Sequence, residues 1–90
     1  MAGDLVGFLA LGRKGSELGI VVEQRGDAEG ATGEIVVRGG VSAALVYVLP
    51  PACVRAISLE RKAVVFDVDL IDFVPTLHPD GTIELRVSSG

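Results

Sequence analysis

The sequence predicts an all-β domain, a small β-barrel of six or seven mostly antiparallel strands. Three observations predict it. Short apolar runs rich in Val and Ile recur along the 90 residues, and β-branched side chains favour pleated, half-buried backbone. Glycine and proline fall between these runs, most plainly at Gly39-Gly40 and Pro50-Pro51. No run keeps a 3.6-residue apolar period over the length of a stable helix. The segment from Ile35 to Ile57 is the densest: it packs three such runs, two glycines and a Pro-Pro stop into little more than twenty residues.

The elements follow in order. Residues 5–11 are an apolar run whose length favours a strand, closed by the Gly12-Arg13-Lys14-Gly15-Ser16 turn. Residues 19–24 form a second strand. Residues 25–33 are small and polar and read as a solvated loop. Residues 34–38 form a third strand, after which Gly39-Gly40 supplies the positive φ of a tight turn or bulge. Residues 44–49 are apolar at every position, so the strand is covered on both faces. Pro50 ends it, because proline gives no donor to a ladder. Residues 53–57 are a short strand and residues 58–62 a turn. Residues 63–70 read as the longest strand, with Val64, Phe66, Val68 and Leu70 on one face and Val65, Asp67, Asp69 and Ile71 on the other. Pro75 implies a bend. His78-Pro79-Asp80-Gly81 is a turn, and Ile83, Leu85 and Val87 alternate with polar residues, which predicts a hairpin with the segment before His78. Ser88-Ser89-Gly90 reads as a frayed tail.

Bulk properties set the function classes. At 49% hydrophobic the chain is too apolar for disorder, and one domain, 1–90, is expected. The net charge is −4, with basic residues scattered apart from Arg13-Lys14 and Arg61-Lys62. That is not the electrostatic footprint of a nucleic-acid binder. No apolar run approaches the roughly 20 residues of a membrane-spanning helix, and the Met1-Ala2-Gly3-Asp4 start does not read as a secretory signal. A cytoplasmic protein is expected. Cys53 is the single cysteine and reads as a small buried hydrophobe.

Gly19-Ile20-Val21-Val22, Ile35-Val36-Val37-Arg38-Gly39-Gly40, the strand ending at Pro50, Val54-Arg55-Ala56-Ile57 and the Asp67-Val68-Asp69 step together resemble the PRC-barrel domain. This is the small β-barrel of the photosynthetic reaction-centre H subunit and of the ribosome-maturation factor RimM. The resemblance covers about residues 5–73 and leaves 74–90 as an added C-terminal hairpin or tail. It implies a barrel that binds other proteins as an adaptor, and it implies no catalytic residue and no cofactor.

Few residues offer chemistry. Asp67 and Asp69 on one strand face, with Asp72 nearby, form an oxygen-ligand set of the kind hard cations take. With Arg38 they are the candidate ligand or ion site, at the barrel mouth. The sole histidine, His78, lies in a turn, and the sequence contains no G-x-S-x-G, P-loop or G-x-G-x-x-G motif. The chain is therefore expected not to be an enzyme. The candidate interface is in residues 44–49, where Leu45, Tyr47 and Leu49 form one row and Val46 and Val48 lie in the other. A barrel this small does not hold both rows, so one of them faces a partner or is covered by the C-terminal segment. The expected function is an interaction or adaptor module, with another protein or a second copy as partner and a homodimer as the commonest form. The alternative is a sensor domain for a small molecule or ion.

Overall fold

A computed structural model describes residues 4–26 and 33–88. They form eight strands: β1 (Leu9–Leu11), β2 (Glu17–Arg25), β3 (Glu34–Gly39), β4 (Leu45–Leu49), β5 (Val54–Ser58), β6 (Ala63–Phe66), β7 (Phe73–Leu77) and β8 (Ile83–Val87). All eight belong to one sheet, in the order β5-β6-β1-β2-β3-β4-β8-β7. The pairs β1–β6 and β4–β8 are parallel and the others antiparallel.

The pairing types along this order are symmetric about its centre. The β2–β3 hairpin lies at its centre, flanked by β1 and β4. A hairpin then joins each side through a parallel pair, β6–β5 beside β1 and β8–β7 beside β4. The chain reaches this arrangement by a β1-to-β4 meander and two later hairpins that dock at opposite ends.

The core lies on one face of the sheet. Leu18, Val21, Ile35, Val37, Tyr47, Leu49, Val64, Phe66, Val68 and Phe73 are buried there together with Leu5 and Ala10. Tyr47 and Phe73 meet edge to face, with ring centroids 5.1 Å apart, an arrangement that aromatic quadrupoles favour.

The structure corrects several expectations. The described residues hold eight strands, not six or seven. Hydrogen bonding does not close them into a barrel: the described strands leave two open edges, β5 and β7. The run 5–11 is a strand only at Leu9–Leu11, because Gly7 turns the chain at φ 94. The run 63–70 is a strand only to Phe66, so β2 is the longest strand and Asp67 and Asp69 do not share a strand face. Asp69 and Asp72 end β6 early by capping a 3-10 turn over Leu70–Asp72, which competes with the ladder. Pro75 does not bend the chain out of the sheet; it sits inside edge strand β7, where a missing donor is tolerated. The C-terminal hairpin exists, and β8 is a full member of the sheet beside β4. The expected loop at 25–33 falls mostly on residues 27–32, and the expected tail on 89–90, outside the described residues.

Candidate interaction site

The site is built on the turn between β1 and β2. Gly12 and Ser16 close the β1–β2 connection, with the Gly12 amide donating to the Ser16 carbonyl at 2.7 Å. This turn carries Arg13 to the end of β6. The Arg13 amide donates to the Val68 carbonyl at 2.8 Å. Its guanidinium then spreads over the segment that follows. Nε donates to Asp67 Oδ1 at 2.8 Å, Nη1 to Asp69 Oδ2 at 3.2 Å and Nη2 to the Asp67 carbonyl at 3.2 Å. Asp72 Oδ2 lies 3.8 Å from Nη2. Planar guanidinium donors suit such a multipoint clasp. The Asp67 hydrogen bond, followed by the charges of Asp67, Asp69 and Asp72, raises the Arg13 pKa.

Inside the clasp the two aspartates brace the 3-10 turn. The Asp69 amide donates to Asp72 Oδ2 at 2.8 Å, and the Asp72 amide donates back to Asp69, to its carbonyl at 2.9 Å and towards its carboxylate, which completes a capping box. Between them stand Leu70 and Ile71, 58% and 90% exposed. A pair of large aliphatic side chains is thus held in water by polar groups on either side. Within the clasp three carboxylates face one guanidinium, and Lys14 follows Arg13 in the same turn.

The candidate ligand set is divided by the fold. Asp67 and Asp69 come together with Asp72, but around Arg13, a partner that the sequence reading did not name. Arg38 lies on β3 and donates to the Ala43 carbonyl at 3.3 Å. Among the described residues no group of three or more His, Cys, Asp or Glu is arranged to hold a metal ion.

The rows of 44–49 are also decided. Leu45, Tyr47 and Leu49 point into the core; Tyr47 is 4% and Leu49 0% exposed. Tyr47 and Leu49 are core residues and Leu45 packs against them, so this row offers no docking surface. Val46 and Val48 lie on the outer face, where Val48 is nevertheless buried. The C-terminal hairpin does not fold over them; it pairs edge to edge with β4. Their cover is ionic. Arg86 of β8 reaches across β4 to Glu34 of β3, Nη1 to Oε2 at 2.9 Å, and Val48 is the β4 residue in register with Arg86. Arg86 also donates to Glu84, and Arg25 bonds Glu23 at 3.1 Å. The aliphatic stems of such side chains exclude water while their heads stay wet.

Cys53 is half-buried, and burial, then the nearby Asp67 and Asp72 charges, push its thiol pKa up. His78 Nε2 lies 3.1 Å from Glu84 Oε1 across the β7–β8 hairpin, so its contact is with a strand neighbour and not with a serine or Cys53. Among the described residues no helix is long and apolar enough to cross a membrane. Comparison with protein-family models, with curated proteins and with solved structures found no match.

Proposed function

We propose that this chain is a non-catalytic, self-associating protein-interaction module that works in the adaptor style implied by its PRC-barrel-like sequence features. The observation that carries the reading is the Leu70–Ile71 tip. Exposed apolar side chains scattered singly are ordinary, but here two neighbours are presented together on a turn fixed by a capping box and by Arg13. Fixing a contact residue before binding removes part of the ordering cost of association. An apolar tip within an acidic surround suits a partner surface that is apolar at its centre and basic at its rim.

The test replaces both tip residues, Leu70→Ser with Ile71→Ser. The melting temperature should stay near that of the parent, since neither side chain is in the core. Association, read by light scattering over a wide concentration range and by photo-crosslinking from position 71, should weaken. Unchanged association in both assays would remove the tip from the function.

A further inference from the structure

We propose that β5 is a docking edge for a second copy of this chain, whose own β5 adds antiparallel to it about a two-fold axis near Ala56. The inference deepens the reading of the chain as a self-associating module and rests on it.

The two open edges of the sheet are not alike. In the β7–β8 hairpin the Ser88 amide donates to the Asp72 carbonyl and the His78 amide to the Thr82 carbonyl. Even-numbered residues of β7 therefore face β8, and Pro75 turns its nitrogen to the open side. At mid-strand that edge offers no donor, a common protection against strand addition. Flanking β6, the Lys62 carbonyl accepts from the Leu9 amide on β1, whereas the Asp67 amide donates to the Cys53 carbonyl on the β5 side. Odd-numbered residues of β6 therefore face β5, where Ala63 pairs with Ser58 and Val65 with Ala56. Ile57, between those partners, directs its amide and carbonyl to the open side. No proline stands in β5.

The ends of the β5–β6 hairpin carry opposite charge. At the turn end Arg61 and Lys62 outweigh Glu60, beside Leu59, which is 75% exposed. At the other end stands the tip with Leu70 and Ile71, where Asp67, Asp69 and Asp72 outnumber Arg13 and Lys14, while Arg55 of β5 lies next to the axis. A parallel addition would set like charge against like. An antiparallel one lays the basic turn of each copy along the acidic tip of the other, twice over, and brings Leu59 towards Leu70 and Ile71. The two-fold relation makes these contacts self-complementary. Ala56, exposed and small, lets the backbones approach at the axis. The bulge between Val54 and Ala56 limits the new ladder to a few bonds, so charge at the two ends carries much of the affinity.

The test is sedimentation equilibrium of the intact chain over a wide concentration range, on four proteins: the parent, two β5–β6 hairpin variants and the Leu70→Ser/Ile71→Ser variant. The parent should form a reversible dimer that loosens in about 1 M salt, where screening acts over roughly 3 Å. Arg61→Glu with Lys62→Asp should weaken the dimer by about tenfold or more, as exposed ion pairs are lost on both sides of the axis. Ile57→Pro should abolish the dimer, since it copies the protection seen at Pro75 and removes an amide that β6 does not use. Circular dichroism checks that each variant is folded; if Ile57→Pro is not, the charge variant and the salt dependence decide. A parent that stays monomeric overturns the inference, as does a dimer indifferent to the charge variant and to salt. A dimer weakened by the tip substitutions but by neither β5 change keeps the interaction reading and rejects β5 as its edge.

Discussion

Gly19 and Gly39 each occupy space that the other's strand requires. A Cβ on Gly19 would overlap the Arg38 carbonyl oxygen and come within 2.8 Å of Gly39 Cα. One on Gly39 would overlap the Leu18 carbonyl oxygen and lie 3.2 Å from Gly19 Cα. The clash is reciprocal because the two residues stand opposite each other in the antiparallel β2–β3 ladder, one step from the Ile20–Arg38 pair. Backbone faces backbone here, so no side chain can move aside.

Gly39→Ala is therefore expected to cost at least about 2 kcal/mol, as an overpacked position without a flexible neighbour. Gly81→Ala is the control: its φ is +92 but the space around it is open, so only the backbone penalty of about 1 kcal/mol applies. Urea unfolding of both variants checks the difference. Equal costs would mean that the β2–β3 approach is looser than described.

Tyr47→Ala should destabilise by about 3 kcal/mol or more, the range for deleting a buried aromatic, and should leave association of the folded fraction unchanged. Tyr47 contacts Phe73 and the core, not the solvent. A variant of normal stability but altered association would return this residue to the surface.

Arg13→Met should release the segment 67–72. Arg13 holds Asp67 and Asp69 by side-chain hydrogen bonds and Val68 by its own amide; the substitution removes only the side-chain bonds. Amide exchange at Leu70, Ile71 and Asp72 should quicken while exchange in β2 and β3 stays slow, because local opening draws on the least protected contacts. Uniform slow exchange would show that the capping box alone holds the tip.

Acid should loosen the β7–β8 hairpin in a defined window. The hydrogen bond from Arg86, then that from His78, lowers the Glu84 pKa below its ordinary 4.5. A carboxylate depressed on folding contributes stability that is fully present above 4.5 and is lost as the pH falls through its lower folded value. Asp80 behaves alike from its ordinary 3.8, held down by the Thr82 hydroxyl and amide. Glu84→Gln should flatten the stability profile below 4.5 and leave it parallel to the parent above. Parallel profiles throughout would mean that the bond to Glu84 does not differ between folded and unfolded chains.

Much of the fold was legible because side-chain period and turn chemistry are local. Residues 34–38, 44–49 and 53–57 are strands nearly as their composition implies, and His78-Pro79-Asp80-Gly81 makes the expected hairpin. The misreading of 63–70 was local too: Asp69 and Asp72, spaced as cap and third residue, stop the strand, and that spacing was available to read. The site was less legible. Arg13 is 54 residues from Asp67, and no local rule pairs them.

Residue order and composition alone are enough to show that the chain is all-β, where most strands lie, and that few residues offer chemistry. Only the tertiary structure decided that Tyr47 looks inward, that Val48 lies beneath the Arg86–Glu34 pair, and that Asp67 and Asp69 clasp Arg13. It also decided that β6 and β8 join the sheet by parallel pairing at opposite ends. The reason is the same in each case. A residue's face follows from a two-residue period, but which face is covered depends on partners brought up by strands far along the chain.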